Sequence, residues 1–132
     1  MTVEFSASPS EALGIGLRVL VVEDEPAVRH LLDRLLTRRG HHVITAPSAV
    51  EAAAMILDYG VAIDIALVDV ALPGISGLEF AGGLHRDFPS ARIVMMTGWL
   101  DNDQLAVAQA RGPVLLKPFR PEALFTIVES TP

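Results

Sequence analysis

Residues 18–25 read RVLVVEDE, an unbroken apolar run that stops without transition in three acids. A strand with one wet face alternates apolar and polar residues, so a continuous run marks a strand covered on both faces of a parallel sheet. The pattern recurs along the chain. IDIALVD ends on Asp69, ARIVMMT ends on Thr97, and VLL forms a strand ending at Lys117. A shorter run, HHVITA (His41 to Ala46), supplies one more strand.

Helical signals fill the gaps. Pro26 suits a first helical turn, where its missing N–H costs nothing. Val28, Leu31, Leu32, Leu35 and Leu36 then follow the i, i+3, i+4, i+7, i+8 spacing of one buried stripe, and Gly40 serves as a left-handed cap. Ser48 and Glu51 form an S-x-x-E capping box for a helix from Ala49 to about Tyr59, closed by Gly60. The turn LPGISG follows Asp69, and a weaker helix spans about Leu78 to Phe88. Gly82 and Gly83 inside that helix cost roughly 1 kcal/mol each relative to alanine. Asn102 to Ala110 makes a short helix, and Pro121 opens a last one reaching about Glu129. Five β-α units imply one α/β domain with a doubly wound parallel sheet and helices on both faces. It is expected to span residues 17–130 behind a mobile lead of residues 1–16.

Composition narrows the function classes. The chain's 132 residues suffice for one domain; they are 51% apolar and 20% charged, the balance of a soluble globular protein. No apolar run approaches the roughly 18 residues that span a bilayer. The start carries Glu4 and Glu11 but no Lys or Arg, unlike a signal peptide. Cysteine is absent, which excludes disulfides and thiolate zinc and agrees with a cytoplasmic location. A net charge of −6 argues against a nucleic-acid surface. Arg29, Arg34, Arg38 and Arg39 form a local basic patch, read as a solvated helix face with a docking face as its alternative. His30, His41, His42 and His85 lack metal-ligand spacing, and Met95 and Met96 read as core filler.

In doubly wound sheets, ligands bind beyond the carboxyl ends of the strands, where the strand order reverses. Those ends carry Glu23 and Asp24, Asp69, Thr97 and Lys117. Three carboxylates in one crevice repel, and a hard divalent cation with oxygen ligands relieves them; Mg2+ fits that demand. A carboxylate set between such a cation and an ammonium is poised to attack phosphorus and form an acyl phosphate. Asp64, about 16 Å away along the same strand, lies at the other sheet end and should be chemically silent.

The set E-D, D-V-A-L-P-G-I-S-G, T-G and K-P-F, in that order on successive strand ends, resembles the receiver domain of two-component response regulators. The resemblance covers Arg18 to about Glu129. It implies a flavodoxin-like strand order 2-1-3-4-5 and a phosphoacceptor at Asp69. It further implies Mg2+ held directly by Asp24, Asp69 and the backbone carbonyl of Ala71, with Glu23 acting mostly through water. Thr97 and Lys117 would bind phosphoryl oxygens, and Lys117–Pro118 would be a cis bond. The implied donor is a histidine kinase or histidine phosphotransfer protein, with no nucleic-acid or membrane partner; a weak homodimer stays open. The implied activity is that of a signalling domain rather than an enzyme, limited to Mg-dependent self-phosphorylation from a phosphodonor and slow self-dephosphorylation. A receiver excised from a hybrid histidine kinase, an aspartyl-phosphate hydrolase and a bare interaction module are the alternatives. One departure stands out. Many receivers carry Tyr or Phe three residues before the lysine, where this chain has Val114. The expectation is that Trp99 and the short helix after it carry the signal instead.

Overall fold

The computed structural model describes residues 16–59, 62–98 and 102–130. The expected mobile lead, apart from Gly16, lies outside them, as do Gly60 and Trp99. Five strands alternate with five helices in chain order: β1 Arg18–Val22, α1 Pro26–Arg38, β2 His42–Ala46, α2 Ala49–Tyr59 and β3 Ile65–Asp69. They continue as α3 Gly77–Asp87, β4 Arg92–Thr97, α4 Asn102–Arg111, β5 Val114–Leu116 and α5 Pro121–Glu129.

All strand pairs are parallel, in the order β2-β1-β3-β4-β5. The chain steps from β1 outward to β2, then returns to the other side of β1 for β3. That reversal leaves a crevice at the carboxyl ends of β1 and β3. Val22 pairs with Val68 there, and Asp69 with Met96 on the far side.

Period-two alternation splits each central strand between two cores. Leu20, Val22, Ala66, Val68 and Met95 face α2, α3 and α4 through Ala52, Ala81, Leu84 and Ala108. Val19, Val21, Ile65, Leu67, Val94 and Met96 face α1 and α5 through Leu32, Leu36, Leu124 and Val128. Every residue of β3 is buried, as its unbroken apolar run requires, whereas β2 at the sheet edge is half-exposed.

Local signals account for the helix ends, with three amendments. After α1, the Gly40 N–H donates to the Thr37 carbonyl at 3.0 Å and the His41 N–H to the Leu36 carbonyl at 3.2 Å. With Gly40 at φ +93°, this is a Schellman cap. The α1 stripe is narrower than its spacing implies. Leu32 and Leu36 are fully buried, but Leu31 stays 45% exposed at the edge of the sheet contact. At α2, the Ser48 hydroxyl accepts the Glu51 N–H at 3.2 Å and in turn donates to the Glu51 carboxylate. The reciprocal arm of the box thus ends on the hydroxyl rather than on the Ser48 amide. The third helix starts one residue earlier than expected, because Ser76 caps it by accepting the Glu79 N–H at 3.1 Å. The same S-x-x-E signal stands at residues 76–79.

Two clamps tie α5 to the amino end of the sheet. Arg92 donates to the terminal carbonyls of Val128 and Ser130, where a cation also meets the negative end of the helix dipole. Buried His41 accepts the Leu17 N–H on Nδ1 at 3.1 Å, so Nε2 carries the proton and donates to Glu129 at 2.9 Å. Arg39 also pairs with Glu129, holding its carboxyl below the usual range, and lies over the Phe125 ring with its centroid 4.6 Å away. His41 is therefore structural, in line with the reading of the histidines.

Candidate functional site

The first two strand ends deliver their acids in different settings. Glu23 follows β1 directly, and its N–H still reaches the Ala46 carbonyl at 3.1 Å, which keeps its side chain inside; it is fully buried. Asp24, one step on, is exposed. Asp69 closes β3 at 5% exposure. Carboxylate oxygens from Glu23, Asp24 and Asp69 lie within 4.8 Å of one another, the one such cluster of His, Cys, Asp or Glu among the described residues.

Lys117 crosses the crevice from the end of β5. Its Nζ lies 3.0 Å from Asp69 Oδ2 and 2.6 Å from Glu23 Oε1. The Lys117 N–H donates to the Thr97 carbonyl at 2.8 Å, which ties β5 to the end of β4, and the Lys117–Pro118 bond is cis. Thr97 itself is buried at 3% exposure, at the last position of β4. The second Asp69 oxygen, Oδ1, accepts the Ala71 N–H at 3.0 Å. Each oxygen of the aspartate thus has its own hydrogen-bond donor.

Burial chiefly pushes the Glu23 carboxyl above its ordinary value, and the neighbouring Asp69 charge pushes the same way; Lys117 and the Glu25 N–H only partly offset this. Burial also acts against the Lys117 ammonium, but its ion pairs with Glu23 and Asp69 outweigh it and hold the lysine above its ordinary value. Glu23 Oε1 has that ion pair but no hydrogen bond of good geometry. Three carboxylates against one ammonium leave a surplus of negative charge on oxygen-only donors, one of them exposed to solvent. Such a set fits a hard divalent cation.

Four predicted side chains, those of Glu23, Asp24, Asp69 and Lys117, therefore converge. Thr97 occupies the adjacent strand end, and Ala71 touches the cluster through its backbone. Asp64 lies apart, at the amino end of β3. It accepts the Arg18 N–H at 2.8 Å and pairs with the Arg18 guanidinium through both oxygens at 3.0 Å. Val114 is half-buried and packs against the core beneath α2, α3 and α4. Two residues at the site were not read as site residues from sequence. Arg29 donates to the backbone carbonyls of Glu23 at 2.9 Å and Asp24 at 3.3 Å, steadying the acidic pair from α1. With Arg39 bound to Glu129, only Arg34 and Arg38 of the basic patch keep the solvated-face reading. Gly77 is the other. A Cβ there would sit 1.8 Å from the Asp69 carbonyl oxygen, so only glycine lets α3 start against that strand end. The final glycine of D-V-A-L-P-G-I-S-G was the available signal.

Fold and pocket together define a doubly wound α/β domain with an aspartate, an acidic pair and a lysine at the carboxyl edge of its sheet. The response regulator receiver domain model matches residues 19–129, and the chain belongs to that family, a class of signalling domains in two-component systems. It is 35% identical over 130 residues to the transcriptional regulatory protein TcrA of Mycobacterium tuberculosis, covering 94% of this chain and 50% of that one. It is also 35% identical over 114 residues to the sensor kinase CckA of Brucella abortus, covering 84% of this chain and 12% of that protein. The chemotaxis protein CheY4 of Vibrio cholerae superposes with a TM-score of 0.75 at 28% identity, over 83% of this chain and 93% of that one. The chain spans about half the length of the curated relatives it matches first. No helix among the described residues is long and apolar enough to cross a membrane.

Proposed function

We propose that this domain accepts a phosphoryl group on Asp69 from a phosphohistidine, in the cytoplasm, with a histidine kinase or histidine phosphotransfer protein as donor. The observation that carries this reading is the placement of Asp69. Its carboxylate is nearly buried, oriented by Lys117 Nζ at 3.0 Å and the Ala71 N–H at 3.0 Å, and set beside two further acids.

In the transfer, an Asp69 oxygen forms a bond to phosphorus while the P–N bond to the donor imidazole breaks. The imidazole nitrogen keeps that electron pair and takes a proton from solvent. Lys117 neutralises charge on the transferring oxygens, and the Thr97 hydroxyl hydrogen-bonds one of them. Asp24, Asp69 and the Ala71 carbonyl would hold Mg2+ directly, and Glu23 would hold it through water. When bound, the ion supplies electrostatic stabilisation of phosphoryl charge, which with positioning is nearly all that this transfer asks of a protein. Slow hydrolysis of the same acyl phosphate resets the domain.

The relatives support both a transcription-factor receiver, as in TcrA, and a receiver attached to a sensor kinase, as in CckA. Acetyl phosphate with Mg2+ provides the test. Intact mass should show one acid-labile phosphoryl adduct in the wild type and none in Asp69→Asn. An adduct that survives Asp69→Asn moves the acceptor elsewhere.

A further inference from the structure

A cleft of about 670 Å³ opens between α2 and α3, on the opposite side of the molecule from α1 and α5, and shares no side chain with the acidic pocket. Its walls are apolar. Val50, Ala53 and Leu57 recur at i, i+3 and i+7 along α2, and Ile75, Phe80 and Leu84 face them from the α3 side. Packing does not use the outer members of that stripe. Val50 is 63% exposed, Leu57 83% and Ile75 42%. Single exposed apolar residues are ordinary on protein surfaces, but here they line one continuous cleft.

We infer that this cleft docks an amphipathic helix of a partner protein, carrying apolar residues at i, i+3 or i+4 and i+7 with basic residues flanking them. Shape and charge both argue for this occupant. Both helices cross back against parallel strands, so they run side by side and enclose a trough rather than a pit. From Ala49 to Leu57 the trough is about 12 Å long, and positions i to i+7 of a docked helix span about 10.5 Å. Among the described residues, the only charged ones lining it are acids, Glu79 and Asp87, eight positions apart on the α3 wall. They reject the two nearest alternatives. A second copy, itself at net charge −6, would bring its own Glu79 and Asp87 against the first pair. The chain's residues 1–15 carry Glu4 and Glu11 with no Lys or Arg, which adds like charge again. A basic-flanked helix complements the rim while its apolar face covers Leu57 and Val50.

The test uses the whole chain and two fluorescein-labelled synthetic helices of identical apolar face, one flanked by lysines and the other by glutamates. Anisotropy should show that the lysine peptide binds and the glutamate peptide does not. The double variant Val50→Gln/Leu57→Gln should weaken binding by about tenfold or more, since two apolar anchors are lost. Glu79→Gln/Asp87→Asn should flatten its salt dependence. All four positions lie at the surface, and circular dichroism melts check that the variants stay folded. The inference is overturned by equal binding of both peptides, by unchanged affinity in Val50→Gln/Leu57→Gln, or by no binding up to about 1 mM peptide. Sedimentation showing a wild-type dimer that Leu57→Gln dissociates would also overturn it, in favour of a second copy.

Discussion

At the scale of single residues, Glu23 and Asp24 show how far adjacent acids can diverge. They are neighbours in sequence, yet one is fully buried and the other exposed, because successive side chains leaving a strand point to opposite sides. Glu23 is the costly one. Its folded value is raised above 4.5, so between 4.5 and that raised value the folded protein holds a proton that the unfolded chain has lost. The contribution of this group to stability therefore falls as pH rises through that window. Metal-free Glu23→Gln should be more stable than wild type at neutral pH, with the gap closing toward about pH 4. Urea unfolding at several pH values checks this; a gap that widens on acidification means that the carboxylate form is the stabilised one. Arg29 and Gly77 were harder to read from sequence, since each acts on backbone atoms brought near only by the packing of a helix against a strand end.

At the scale of elements, most boundaries follow from the chain itself: Pro26 and Pro121 open helices, Gly40 closes one, and each apolar run becomes a strand. The helix with two internal glycines reads as a weaker one from sequence, and its two glycines turn out to be unlike. A Cβ at Gly82 would meet the Arg111 guanidinium at 3.0 Å, whereas at Gly83 the nearest contact is Arg86 at an ordinary 3.6 Å. Gly83→Ala should therefore stabilise α3 by about 0.4–1 kcal/mol, chiefly by restricting the unfolded chain. Gly82→Ala should gain less, because Arg111 must swing away first. Paired thermal melts decide it, and a larger gain at Gly82 would show that Arg111 yields freely. The stripe of α1 illustrates a different limit. Helical periodicity ranks Leu31 with Leu32 and Leu36, but the width of the face covered by the sheet is set by neighbours that periodicity cannot see.

At the scale of the whole molecule, the acidic pocket is an electrostatic burden on the metal-free fold, and the proposed ion should relieve it. Mg2+ at ten times its Kd should raise stability by about 1.4 kcal/mol, because it binds the assembled carboxylates only in the folded state. Asp24→Asn should shrink that shift in a calorimetric scan, and an undiminished shift would place the ion elsewhere. What the chain determined by itself was its alternation of buried strands and amphipathic helices, and the polar residue at each strand end, because these depend on local periodicity and on where apolar runs stop. The convergence of Glu23, Asp24, Asp69 and Lys117 was legible once those ends were assigned to one edge of a parallel sheet. Tertiary structure alone decided the rest. It buried Glu23 but not Asp24, seated Gly77 on the Asp69 carbonyl, brought Arg29 to the acidic pair and left a trough between α2 and α3. Each of these depends on how a helix or strand end packs against its neighbours, even where the residues are close in sequence, and close packing, not periodicity, sets such distances.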